Sequence, residues 1–186
     1  MAESSLHDAA SRGNAGQLKA LLEQGSNANT PDTSGEIALH RAASNNQIDC
    51  VRVLVEAKSK IDAADRAGNT PLHKAAENGL TRAVSVLVDL GADIHLKNFN
   101  GDTALHVAAR NNHAVVVRDL LIFGADLKTK NKNGASALAL AKSNVAKDVL
   151  VAIDEYYRQQ PLFERIKKMF FGPSKGKPLP AKKSAK

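Results

Sequence analysis

Residues 68–80 read GNTPLHKAAENGL, and residues 101–113 read GDTALHVAARNNH. Aligning the two places Gly35, Gly68, Gly101 and Gly134 at steps of 33 residues with no insertion. The same register carries Leu6, Leu39, Leu72, Leu105 and Leu138, then His7, His40, His73 and His106, then Ala9, Ala42, Ala75, Ala108 and Ala141. A period of this length marks a solenoid, in which one unit is too small to bury its own apolar face and is stabilised by the units stacked on it. Five units are in phase, with bounds near 1–31, 32–64, 65–97, 98–130 and 131–157.

Within a unit the pattern predicts two short helices. Thr70-Pro71 supplies a cap and a helix-starting proline, and Leu72, Ala75 and Ala76 then share one face. The paired alanines Ala9-Ala10, Ala42-Ala43, Ala75-Ala76 and Ala108-Ala109 let neighbouring first helices approach closely, whereas Val84, Leu87 and Val88 give the second helix a thicker stripe. Layers of unequal thickness are expected to curve the stack. The position linking the two helices reads Gly13, Asn46, Gly79, Asn112 and Val145, and the first four tolerate positive φ at low cost. The position closing the second helix reads Gly25, Lys58, Gly91 and Gly124, so a looser cap is expected at Lys58. Stretches such as Ala92 to Gly101 hold turn formers without a helical stripe and are expected to form projecting hairpins.

Charge divides the chain. Residues 161–186 contain Arg165, Lys167, Lys168, Lys175, Lys177, Lys182, Lys183 and Lys186 against Glu164 alone, so this tail carries the whole net charge of +7. The repeats are neutral as a set, which argues against a wide phosphate-binding face. The lone Cys50 falls on a helical apolar stripe with Ala83, Val116 and Val149 and is read as core rather than as a reactive thiol. The opening MAESSLHDAA offers neither an apolar secretory stretch nor the glycine required for myristoylation, and no run approaches the ~18 apolar residues of a membrane span. The expected location is cytoplasmic, with the nucleus or a membrane surface left open.

The strings GNTPLHKAA and LGADIHLKN resemble the ankyrin-repeat family over 1–157. Ile37-Ala38 departs from the Thr-Pro of the pattern, as do Ser136-Ala137, Ala139, Lys142 and Val145 in the fifth unit, which is read as a cap with a solvent-facing outer side. The resemblance implies an all-α solenoid of five stacked helix-turn-helix units with projecting β-hairpin loops, monomeric on its own. It further implies a non-catalytic adaptor or scaffold whose protein partner meets the hairpin tips and the exposed positions of the first helices. Carried onto this sequence, that surface comprises Thr33, Ser34, Glu36, Ser44 and Asn45, then Arg66, Asn69, Glu77 and Asn78, then Lys97, Phe99, Asn100, Asp102, Arg110 and Asn111, then Lys130, Lys132 and Asn133. Phe99 reads either as an aromatic anchor among Arg66, Lys97 and Arg110 or as a ring folded over its own hairpin. A secreted host-directed bacterial protein of the same family would show the same features.

Catalysis finds little support. His40, His73 and His106 sit on helices that stack ~8–10 Å apart, too far for all three nitrogens to reach one zinc at about 2.0–2.1 Å. They are read as structural, with His7 in the same register, while His95 and His113 are expected to be isolated and exposed. Phosphate-loop, HExxH and dinucleotide motifs are absent, so no enzyme activity, cofactor, metal or small-molecule substrate is expected, and nucleic acid is not favoured as a partner.

The segment 158–171 has a basic amphipathic pattern. Leu162, Phe163, Ile166, Met169 and Phe170 share one helical face, and Glu164, Arg165, Lys167 and Lys168 share the other. That helix has three uses open to it. It can cap the fifth repeat, lie on an anionic membrane with Phe170-Phe171 inserted, or enter a partner's groove. The remainder, 172–186, is rich in Pro, Gly, Ser and Lys and is expected to be disordered and solubilising.

Overall fold

Apolar stripes at helical spacing, interrupted every few residues by Gly or Asn, limit this chain to helices of two to four turns. The computed structural model describes residues 5–159, and ten helices form among them. They alternate between a first layer and a second layer. The first layer comprises α1 (Leu6–Arg12), α3 (Ala38–Ser44), α5 (Pro71–Glu77), α7 (Ala104–Arg110) and α9 (Ala137–Ser143). The second comprises α2 (Ala15–Glu23), α4 (Ile48–Glu56), α6 (Thr81–Asp89), α8 (Ala114–Ile122) and α10 (Lys147–Gln159). The chain is thus an all-α repeat solenoid. The amphipathic stretch at 161–171 and the tail at 172–186 lie outside the described residues, while α10 runs past residue 157 to Gln159.

The paired alanines do what their size allows. Ala9, Ala10, Ala42, Ala43, Ala75, Ala76, Ala108 and Ala109 expose no surface, and the first helices pack on one another more extensively than the second helices do, with α8 against α10 as the exception. Leucines fill the space between layers: Leu18, Leu39, Leu54, Leu72, Leu87, Leu105 and Leu120 are all fully buried. Cys50 joins them, and burial pushes its thiol up, away from the thiolate that reactivity requires.

Left-handed links recur as expected at Gly13, Asn46, Gly79 and Asn112. Two positions depart from expectation. Lys58 adopts φ 63° and donates to the Val55 carbonyl at 3.0 Å, the same distance as Gly25 to Leu22, so its cap is no looser than the glycine caps. Val145, a β-branched residue, adopts φ 53° because Ala146 N–H donates to the Ala141 carbonyl at 2.9 Å, as the equivalent link bonds do in the other units. The stacked geometry overrides the residue's own preference, at a cost of about 1–3 kcal/mol. The connections between helix pairs are tight turns rather than laddered hairpins. In the first of them Asp32 N–H donates to the Glu36 carbonyl at 2.8 Å and Gly35 N–H to the Asp32 carbonyl at 3.0 Å. Pairing stops there because Ile37, the next residue, already caps α3, and among the described residues the β pairing is an isolated bridge between Lys130 and Ser136.

Leu72→Ala and Leu105→Ala are each expected to cost about 2–5 kcal/mol in chemical denaturation, as deletions of fully buried leucines do. A loss under about half a kcal/mol in both would contradict their core placement. Val145→Asn should raise stability by about 1 kcal/mol by relieving the strained φ at an exposed position. An unchanged or lower denaturation midpoint would mean that Val145 carries no strain.

Candidate functional site

Each turn tip is built on an Asp or Asn whose side chain folds its own loop. Asp32, Asp65, Asn98 and Asn131 occupy one register, and in every case Oδ1 accepts two backbone N–H bonds from residues two and four positions later, at 2.7–3.0 Å. The side-chain oxygen thereby performs the work of a turn carbonyl. Successive tips are then joined through backbone: Arg66 N–H donates to Ser34 O at 3.1 Å, Phe99 N–H to Ala67 O at 3.0 Å, and Lys132 N–H to Asn100 O at 3.0 Å. This contact explains the repeated glycine. At Gly68, with φ 79°, an added Cβ would stand 2.7 Å from the Phe99 nitrogen, whereas Gly134, with no further tip among the described residues, meets nothing within 4 Å.

Beneath the tips runs a second tie. His7, His40, His73 and His106 donate through Nε2 to the carbonyls of Glu36, Asn69, Asp102 and Thr129 at 2.8–3.0 Å. In the central rings Nδ1 accepts the N–H of the residue that starts the same helix, Ile37, Thr70 or Thr103, at 3.2 Å, and the threonine hydroxyls donate to it as well. A ring that donates at one nitrogen and accepts at the other is neutral, and this network assigns the tautomer. Burial pushes His40, His73 and His106 below the ordinary imidazole value, which holds them in that state.

Charged side chains fill the same seam. Arg41 bridges Asp32 at 2.7 Å and Glu36 at 2.9 Å, and Lys74 bridges Glu36 at 2.8 Å and Asp65 at 3.0 Å. Asn69 bonds Asp65 at 3.3 Å, Asn98 bonds Asn69 at 2.8 Å, and Asn131 bonds Asp102 at 2.8 Å. Burial acts to raise Asp32, but Arg41 and the N–H groups of Ser34 and Glu36 outweigh it and hold the carboxyl at about 2. Asp65 is lowered on the same pattern, its burial overcome by the Asn69 N–H and by Lys74.

The sequence-predicted contact residues divide into two groups. Thr33, Ser34, Asn45, Arg66, Glu77, Asn78, Lys97, Phe99, Asn100, Arg110, Asn111, Lys130, Lys132 and Asn133 are exposed on the tips and first helices. Asp102 is corrected: it is fully buried, accepting from Asn131 and paired with Arg110, because an unpaired carboxylate there would be desolvated. Glu36 is likewise buried, in the bridges to Arg41 and Lys74, while Asn69 and Ser44 are half-buried. Asn78, Asn111 and Asn144 donate across the stack to the carbonyls of Ser44, Glu77 and Arg110 at 3.0, 3.3 and 2.9 Å, so these exposed amides are already engaged. His113 is also corrected, being half-buried and donating to the Glu77 carbonyl at 2.8 Å.

Phe99 is 62% exposed, and its ring leans on Gly68 of the preceding tip rather than over its own turn. In register with it stand Arg66 and Lys132 on the two neighbouring tips and Thr33 on the first tip. Lys97 and Lys130 lie two residues before Phe99 and Lys132, and Lys97 Nζ donates to the Lys130 carbonyl at 2.9 Å. The sequence reading missed the Asx register and the seam it supports, although Asp32, Asp65, Asn98 and Asn131 at constant spacing were a visible signal. Among the described residues no group of His, Cys, Asp or Glu converges as a metal site would, and no helix is long and apolar enough to cross a membrane.

Residues 6–98 and 90–154 match the sequence model of a family described as ankyrin repeats (3 copies), together well over half of the 186-residue chain. A comparison with curated proteins gives no match.

The depressed histidines fix a sign for pH dependence. Because the folded state takes up a proton less readily than the unfolded chain, the stability they confer is present above about pH 6.5 and is lost as pH falls below it. Asp32 and Asp65, lowered in the fold, add a second loss that begins only near the ordinary carboxylate range. Denaturant midpoints are expected to be lower at about pH 5.5 than at about pH 7.5. Equal midpoints would contradict the neutral, buried assignment.

Proposed function

The chain belongs to the ankyrin-repeat family, and from that premise we propose that it is a non-catalytic adaptor or scaffold binding a protein partner through its turn tips and the exposed positions of its first helices. Ankyrin repeats are generally protein–protein interaction modules, typically without catalysis. The observation that supports this surface above others is the row of tips itself. It places Thr33, Arg66, Phe99 and Lys132 in register on backbone-bonded turns, with a large aromatic ring exposed in the middle. A surface already fixed by hydrogen bonds loses little conformational freedom on binding, and an exposed Phe on such a surface supplies apolar area that folding does not use. On the sequence grounds above, the array is placed within 1–157 and the protein in the cytoplasm.

The rival assignment is a peripheral membrane protein held by the amphipathic stretch within 158–171, with the repeats as its cargo-holding part. It draws on the apolar face of Leu162, Phe163, Ile166, Met169 and Phe170 beside Lys167 and Lys168. Co-sedimentation with anionic vesicles separates the two.

Phe99→Ala should leave the melting temperature nearly unchanged, since the ring packs little, and should weaken partner binding by ~1–2 kcal/mol or more. Removal of residues 161–186 should leave that affinity largely intact. Binding isotherms beside melting curves check both. If the truncation abolishes binding while Phe99→Ala does nothing, the tip surface is not the reader and the membrane-helix account takes its place.

A further inference from the structure

The tips differ in charge in a way the family assignment does not require. Exposed positions on the first tip are uncharged, Thr33 and Ser34, whereas the later tips present Arg66, Lys97, Lys130 and Lys132 around Phe99. The acids of the same tips are withdrawn from the surface. Asp65 and Asp102 are buried and Asp32 is half-buried against Arg41, while earlier in the same loops Asp62 and Asp126 are half-buried and Asp93 is exposed, its Oδ1 taken by the His95 N–H at 2.8 Å. No carboxylate among the described residues stands in ion-pair contact with Arg66, Lys97, Lys130 or Lys132. On the adjoining helices Arg110 is engaged by Asp102, Lys142 adds another exposed cation, and Glu77 is the opposing exposed acid. Thus the tips hold their own carboxylates, Asp32, Asp65 and Asp102, inward and leave their positive charge outward.

We propose that the tip row from Arg66 to Lys132 binds an extended acidic segment of a partner protein, carboxylates against Arg66, Lys97, Lys130 and Lys132 and an apolar side chain against Phe99. This rests on the tip surface being the binding face. Charge complementarity selects the class: cations that lack a carboxylate partner, Lys97 among them with only the Lys130 carbonyl, attract carboxylates and repel basic segments. Phe99 favours a peptide over a purely anionic ligand, because an exposed ring gains from an apolar neighbour and nothing from a phosphate. Spacing is set by the backbone bonds between tips, so the carboxylates must follow the row rather than cluster at one point.

The test uses the full-length chain with Lys175, Lys177, Lys182, Lys183 and Lys186 changed to Gln in every arm, which equalises the contribution of the tail. The probe is a fluorescein-labelled peptide of alternating Asp and Glu around a central Leu, beside its Asn/Gln analogue. Arg66→Glu with Lys132→Glu should weaken the acidic probe by about tenfold or more, and raised salt should weaken it further. The same reversal on the second helices, Lys19→Glu with Arg52→Glu, should change it by less than about threefold. Phe99→Ala should also weaken the probe, and melting curves establish that each variant is folded. If the tip pair does not fold, Lys97→Glu replaces it. The acidic class is overturned if the Asn/Gln analogue binds as tightly, and a loss of that binding in Phe99→Ala would then leave the tip surface standing. Both fail if the acidic probe binds all the tip variants and the wild type alike. Tip-dependent competition by single-stranded RNA or by phosphatidylserine vesicles that exceeds the peptide overturns it in favour of a phosphate ligand.

Discussion

A neutral imidazole held between two helix pairs is the constraint on which the rest of this structure depends. The ring receives the N–H that starts its own helix and gives its remaining proton to a carbonyl of the following unit. Its two nitrogens therefore set two distances at once, the entry of the chain into the first helix and the offset of the next turn. His40 and His73 repeat this in consecutive units, whereas the equally buried His106 accepts the cap N–H in the same way but donates to Thr129, within its own unit. A lysine at these positions could donate but could not accept the cap N–H.

Everything at the surface follows from that register. Once the turns are aligned, the Asx residues close each loop, the glycine at each tip accepts the backbone of the next, and the buried carboxylates find Arg41, Lys74 or Arg110 along the seam. The exposed side chains then stand in a row because the backbone beneath them is bonded in a row. The bonds that join the tips run through the backbone N–H groups of Arg66, Phe99 and Lys132, so their exposed side chains are left out of that network.

Much of this was legible in the sequence. The 33-residue period, the alanine pairs and the leucine register gave the helix layers and the core, since packing demands the same residue type at every step. What was not legible lay where one residue type can serve two ends. Asp102 looks like a tip carboxylate but is buried by the partners Asn131 and Arg110, which only the fold brings to it. Lys58 and Val145 have poor intrinsic preference for positive φ, yet the stack imposes it, because tertiary bonds over a whole unit outweigh one residue's propensity. Phe99 could fold back or project, and the choice was made by the glycine of a neighbouring tip.

The protonation and tautomer of the buried imidazoles test the central constraint directly. Nitrogen NMR of the labelled chain, followed from neutral pH down to about pH 6, should show His40, His73 and His106 as neutral rings carrying the proton on Nε2, still neutral where an ordinary imidazole has begun to charge. Rings that carry the proton on Nδ1, or that charge at the ordinary imidazole value, would contradict the account, since neither could accept the cap N–H at Nδ1 while donating from Nε2.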